Sequence, residues 1–319
     1  MVPITLFDSE FREIGPALVS CDIETGDSSA MNDMEIKSPV DAYGICILGT
    51  DAGGIIEYID AVSGSVPEKR GYSWRGLLQM AVLQPPAGSD YLKISNMDLN
   101  RALEHVLGNV LGGLFVVPNE EYGVTVRSYQ FDLYTDALTG LTELCRSVGA
   151  RLHIHAEKSS NQKKILIVAE AKPIRTYEEE FAETSAMQLE FTKDGMGYNH
   201  MICMGKGELQ NRLRVDLYLQ QDGTFGSQQH YYGINERQYY YDDNNADTVE
   251  KLRADGLKKF TEICPSKILK VKRAPEELEV GDIVRGVYAA EGITVEAPIS
   301  KIIYRVTGDV VTKEYGVKE

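Results

Sequence analysis

Asn199-His200-Met201-Ile202-Cys203-Met204-Gly205-Lys206-Gly207-Glu208, followed by Arg212 to Gln220, reads as a buried strand, a glycine turn carrying Lys-Gly-Glu and a second strand. A segment dense in Tyr, Asp and Asn comes next, Tyr231 to Asp247. A charged amphipathic helix is then expected from about Ala246 to Ile263, with Val249, Leu252, Leu257, Phe260 and Ile263 apolar. Gly256 inside it lowers helix propensity by about 1 kcal/mol, and Pro265 ends it. Strands are expected beyond, over 267–272, 282–288, 293–297, 299–307 and 310–316.

Working back from that stretch, the first seventy residues also read as β. Residues 17–24 form a strand, and strands 43–48 and 55–62 flank Thr50-Asp51-Ala52-Gly53-Gly54, a turn whose residues accept positive φ. Ile45, Ile47, Ile55 and Ile59 then take alternate inward positions. The middle of the chain mixes helix and strand. Ser73 caps a helix running to Leu83, stopped by Pro85-Pro86, and Asn96 or Asp98 caps a second with Leu99, Leu103, Val106 and Leu107 on one face. Leu138, Leu141, Leu144, Cys145 and Val148 define a third, with Gly149 at its C-terminal stop. Strands 151–156 and 164–169 follow, joined by the polar turn 158–162. The fold class is α+β, mainly β, in three parts: residues 1–70, completed by later strands; an α+β block at 71–172; and residues 173–319, with the helix at about 246–263.

The chain has 319 residues, 43% of them hydrophobic and 25% charged, a composition that builds a packed core. Acids outnumber bases 48 to 33, a net charge of −15. This disfavours a sequence-independent grip on phosphate backbones, which needs clustered Lys and Arg. It suits a channel wall past which DNA slides without sticking. Five scattered cysteines, with no CxxC pair, read as buried free thiols. The N-terminus lacks the pattern of a signal peptide, and no apolar run reaches the ~20 residues of a membrane-spanning helix.

Four features together are similar to the tail-hub family of long-tailed bacteriophages and related injection machines. A helix over Leu133 to Val148, containing Glu143-Leu144-Cys145, leads through Gly149 into the strand Arg151-Leu152-His153-Ile154. Asn199, the turn Gly205-Lys206-Gly207-Glu208 and Arg212 resemble the family's Asn, Gly-x-Gly-Glu, Arg pattern. Glu279-Val280-Gly281-Asp282-Ile283-Val284 resembles its Gly-Asp-Ile/Val strand entry, and Ile299 to Gly316 its last hairpin. The resemblance, carried by the order of these motifs, covers roughly Tyr43 to Gly316. It implies two tail-tube-like β-barrel domains with an α+β insertion and a homotrimer whose barrels make a pseudo-sixfold ring. It also implies a non-enzymatic hub that joins a sixfold tube to a threefold tip, with distal tail, tube, spike or fibre proteins as partners. The location implied is the virion tail tip, assembled in the host cytoplasm. A contractile bacteriocin or secretion device, or a cell-wall carbohydrate-binding or hydrolytic module, are the alternatives.

No catalytic, cofactor or metal residues are assigned. Gly205-Lys206-Gly207-Glu208 lacks the Gly-x4-Gly-Lys-Ser/Thr spacing of a phosphate loop and reads as a tight turn. Tyr231, Tyr232, Tyr239, Tyr240 and Tyr241 read as a subunit contact or core, since tyrosine offers contact area and a polar tip. His153 and His155 lie at i, i+2 on one strand face, a usable metal geometry for which the sequence specifies no third ligand. Asp242 to Asp247 misses the calcium-loop pattern and reads as a loop capping the following helix. His105, His200 and His230 are isolated in sequence.

Overall fold

Seven strands form the N-terminal region in the computed structural model: β1 (Ile4–Phe7), β2 (Glu13–Pro16), β3 (Ser20–Gly26), β4 (Asp33–Lys37), β5 (Gly44–Ile47), β6 (Gly53–Asp60) and β7 (Glu68–Ser73). An α+β block follows: α1 (Trp74–Gln79), β8 (Lys93–Asp98), α2 (Leu99–Val110), β9 (Phe115–Val116), β10 (Thr125–Gln130), α3 (Ala137–Ser147), β11 (Ala150–Lys158) and β12 (Ile165–Pro173). Then come β13 (Thr176–Glu180), β14 (Gln188–Asp194), β15 (His200–Met204), β16 (Arg214–Leu219), β17 (Phe225–Gly226) and β18 (Gln238–Asp242). The chain continues through α4 (Val249–Ile263), β19 (Ser266–Arg273), β20 (Ile283–Tyr288), β21 (Ile293–Thr307) and β22 (Val310–Val317). The structure describes residues 4–16, 20–27, 32–159, 164–180, 188–273, 278–288, 293–308 and 310–317. The class is α+β, mainly β. The chain divides into two compact units, Met1–Glu190 with Leu269–Glu319, and Phe191–Ile268. The boundaries at 70/71 and 172/173 both fall inside the first unit.

The first unit is built on an eleven-stranded sheet of order β13-β20-β21-β3-β4-β7-β6-β5-β1-β2, with β22 added on β21. Strand β3 pairs antiparallel with β21, Ile23 opposite Tyr304 and Thr25 opposite Ile302, so strands from the far end of the chain complete the N-terminal sheet. Ile4, Leu6, Ile23, Met34, Ile36, Ile299 and Ile302 form its core. Two closed barrels were the expectation; among the described residues no sheet closes on itself. Closure would require β2 to meet β13, but the β2 end is engaged elsewhere. The Phe11 carbonyl accepts from Ile165 N–H at 2.7 Å, and Arg12 bridges to Lys164. The sheet's end is thereby held by the start of β12.

The β5–β6 hairpin forms, Gly44 opposite Ile55 and Cys46 opposite Gly53. Ile45, Ile47 and Ile55 are buried, whereas Ile59 is 54% exposed. A register shift between Ile56 and Tyr58 breaks the period-two alternation before Ile59 is reached. In the α+β block, α1 stops at Gln79 instead of reaching Leu83. Backbone groups beyond it bond the approach to α3 instead: Leu83 N–H donates to Thr135 O at 2.9 Å and Ala137 N–H to Ala81 O at 2.7 Å. Helices α2 and α3 are capped by Asp98 and Asp136, whose side chains accept from Asn100 and Thr139 N–H. Strands β11 and β12 pair antiparallel and β9 joins β12 in parallel. The expected turn at 158–162 lies partly outside the described residues. The two expected strands 293–297 and 299–307 form one, β21, with an irregularity against β22 between Ile299 and Lys301.

The second unit holds a four-stranded sheet of order β17-β16-β15-β18, with β15–β16 antiparallel and β15–β18 parallel. Helix α4 packs on it through Leu252 and Phe260, which join Met201, Cys203, Val215, Leu217, Leu219 and Ala246 in the core. A Cβ at Gly256 would lie 2.6 Å from Cys203 Sγ, so the glycine that weakens the helix is what lets it approach the sheet.

Candidate functional site

Residues 199–212 lie in the middle of the second unit, where Asn199, Gly205, Gly207 and Arg212 each have a bonding task. Asn199 Nδ2 donates to Asn235 O at 2.8 Å, while its Oδ1 accepts from Arg237 N–H at 2.9 Å, fixing the entry to β18 beside β15. Gly207 has φ +133, and a Cβ there would come within 2.7 Å of Arg212 Cα, so the turn tolerates only glycine. Arg212 Nε donates to Gly205 O at 2.8 Å and Nη2 to Met204 O at 3.1 Å. The same guanidinium reaches Tyr240 Oη at 3.1 Å and Asn244 Oδ1 at 2.9 Å, and pairs with Asp242. Gly205, Gly207 and Arg212 thus clip the turn to the Asp/Asn-rich loop, while the Lys206 and Glu208 side chains are exposed.

Strand β18 lies at the edge of the sheet, next to β15 alone among the described residues. Its side chains alternate: Tyr239 and Tyr241 pack against the core, and Tyr240 is 56% exposed. Tyr231 also packs against the core, whereas Tyr232 is exposed and its hydroxyl donates to Gln229 O at 2.9 Å. The five tyrosines therefore divide between core (Tyr231, Tyr239, Tyr241) and surface (Tyr232, Tyr240). Ile234, in the short turn before β18, is 95% exposed. An open strand edge with exposed aromatic and aliphatic groups beside it is the chemistry of a partner-binding surface. The Asp/Asn loop does not itself cap α4. Thr248 does, accepting from Lys251 N–H at 3.2 Å, while Asp243 Oδ1 accepts from Asn245 N–H within the loop.

His200, isolated in sequence, is held between two carboxylates. Its Nδ1 is 2.7 Å from Glu236 Oε1 and its Nε2 2.9 Å from Asp216 Oδ1, with the ring stacked on Tyr218. Arg214 binds Asp216 through two N–H groups, and this bond leads the interactions that hold the Asp216 carboxyl below the usual range. Register places Tyr218 and Gln238 on either side of His200, a pairing visible only once β15, β16 and β18 are aligned.

In the first unit, two buried ionic networks join distant parts of the chain. Asp282, fully buried, pairs with Arg151 at 3.0 Å and Arg175 at 2.6 Å and accepts from Glu279 N–H. Arg151 also pairs with Glu279. Gly281 sits at φ +92 with Arg151 Cβ 2.9 Å from where its own Cβ would be. The Gly281-Asp282 pair is thus the clamp that fastens the start of β20 to β11 and to the approach of β13. Asp51 anchors the second network, accepting from Thr25 Oγ1 at 2.8 Å and Tyr304 Oη at 2.9 Å, with Arg75 Nε 3.6 Å away. Burial and the neighbouring Asp51 push the Tyr304 hydroxyl well above its ordinary range. Residues of both networks, among them Asp51, Arg75, Arg151, Glu279 and Tyr304, line a small polar cavity of about 130 Å³. Cys21, Cys46, Cys145 and Cys203 are buried free thiols, and burial pushes the Cys145 thiol up to about 12; Cys264 is half-buried.

No protein-family model and no curated protein matches the sequence. Solved structures align with the chain in three dimensions. The 43 kDa tail protein of prophage MuSo2 from Shewanella oneidensis aligns with a TM-score of 0.48 and 11% identity over 99% of this chain and 98% of its own. The prophage tail protein gp18 from Listeria monocytogenes EGD-e gives a TM-score of 0.47 and 14% identity over 99% and 94%. A chain of the phage P2 baseplate in its activated conformation gives 0.47 and 10% over 99% and 98%. Among the similar solved structures are phage tail and baseplate proteins and a component of a type VI secretion system.

Proposed function

We propose that this chain is a structural subunit of a phage-type tail tip or baseplate hub, acting as a homotrimeric ring that joins a sixfold tube to a threefold tip. The observation that carries the reading is the interrupted frame: β3 is completed by β21 from the other end of the chain, and an α+β block stands between them in sequence. The motifs that raised the resemblance fall at the fastenings of that frame, Gly281-Asp282 on Arg151 and Arg212 on the Gly205 turn. In this role the chain works by binding through strand edges and carries no catalytic residues. The exposed tyrosines Tyr232 and Tyr240 beside the β18 edge belong to a contact with another subunit or tail protein. The net charge of −15 suits a channel wall along which DNA or an effector passes without being held. Tube, spike or fibre proteins are the partners, and the ring takes its place at the virion tail tip after assembly in the host cytoplasm.

Negative-stain micrographs of the purified chain, alone and mixed with a tail-tube protein from the same source, test this reading. Threefold rings with a central hole are the expected outcome. Single compact particles in both samples would overturn it.

A further inference from the structure

We propose that His153, His155 and Glu170 form a binding site for a divalent transition-metal ion of the zinc class, separate from the surface through which the chain is read to assemble. The i, i+2 spacing on β11 brings the two imidazoles onto one strand face, where the rings stack 4.9 Å apart. The third ligand comes from the neighbouring strand: Glu170 on β12 is the direct register partner of His153. One ligand atom from each of the three lies within 4.8 Å of the others. Ligand atoms around zinc, bound at about 2.0–2.1 Å, lie about 3.3 Å apart, so rotation of the side chains by about 1 Å closes the set.

The nitrogens are already divided between tasks. His155 Nδ1 is buried and has no hydrogen-bond partner, a costly state for a polar atom unless something else occupies its lone pair. His153 Nδ1 faces Glu279 Oε2 at 3.3 Å, the carboxylate–imidazole arrangement that orients a ligating histidine and leaves its other nitrogen for the metal. Arg151 lies 3.5 Å from the same nitrogen, and its charge is matched by Glu279, with which it pairs. Lys172 holds one oxygen of Glu170 at 3.0 Å, leaving the second to bind. The three side chains are 14%, 18% and 15% exposed, buried enough to exclude bulk water yet open to an entering ion. Two imidazoles and one carboxylate select zinc and its neighbours over calcium or magnesium, which prefer oxygen ligands alone. With three protein ligands the fourth position is left to water. The bound ion would tie β11 to β12 and, through Glu279, to the approach of β20.

The test is zinc titration by calorimetry on the tag-free full chain after chelator treatment, with cobalt absorption spectra as a second readout. The expected result is one ion per chain and a cobalt band typical of tetrahedral or five-coordinate ligation. His155→Asn and Glu170→Gln each lower affinity about tenfold or more, while the metal-free variants keep the wild-type circular dichroism. His105→Ala, outside the site, leaves binding unchanged. Absence of stoichiometric zinc or cobalt uptake by the wild-type chain would overturn the proposal, and so would uptake that survives both site substitutions intact.

Discussion

Asp282 is fully buried and holds two arginines, and a buried carboxylate is tolerated only when its charge is matched. Asp282→Asn leaves Arg151 and Arg175 short of a counter-charge, and a loss of about 3–5 kcal/mol in urea unfolding is expected. Gly281→Ala meets a left-handed backbone and Arg151 Cβ at 2.9 Å, and is expected to lose about 1–2 kcal/mol from the backbone alone. Glu279 supplies the pH dependence. Burial works to raise its carboxyl, but His153 and Arg151 outweigh it and hold it at about 2 against an ordinary 4.5. Because the folded value lies below the unfolded one, this stabilisation is complete above pH 4.5 and fades as pH falls towards 2. Unfolding free energies measured across that range should fall with acid, and Glu279→Gln should flatten the slope. At this scale the sequence was legible wherever the backbone makes a local demand, as at Gly207 and Gly149, where positive φ needs glycine. It was silent about partners. Glu170 opposite His153 is set by strand register, and Asp282 with Arg151 and His200 between Asp216 and Glu236 by contacts between elements distant in sequence, none of which local spacing encodes.

At the scale of elements, α4 and β18 show how periodicity separates core from surface. Phe260 is fully buried under the second unit's sheet, and Phe260→Ala should cost about 3–5 kcal/mol. Tyr240 points outward from β18 and bonds Arg212 at 3.1 Å, so Tyr240→Ala should cost about 1 kcal/mol or less in denaturation of the isolated chain. If the edge serves assembly, the same substitution weakens association far more than folding, which sedimentation of wild type and variant would register. The amphipathic helices and the β5–β6 hairpin followed from apolar spacing and a turn rich in Asp and Gly. Where expectation and structure part, tertiary bonding overrode local preference: α1 stops early because Ala81 and Leu83 bond the segment before α3, and Ile59 faces outward past a register shift.

At the scale of the molecule, one sheet is shared between the two ends of the chain. Ile299 and Ile302 supply core to the N-terminal strands, and β21 is the partner of β3. Deleting residues 299–319 should therefore expose β3 and abolish cooperative unfolding of the first unit, read by circular dichroism and limited proteolysis. Such pairing was only partly legible, because period-two runs announce strands without naming neighbours. The closed barrels were implied by the family resemblance; among the described residues the sheet is open. In the proposed function these chains work as a ring of three. Light scattering on the purified chain across a concentration series, alone and with a tail-tube protein from the same source, measures this. A species of three 35.5 kDa chains that persists on dilution or appears on adding the partner is expected. A mass that stays at one chain under every condition would contradict it.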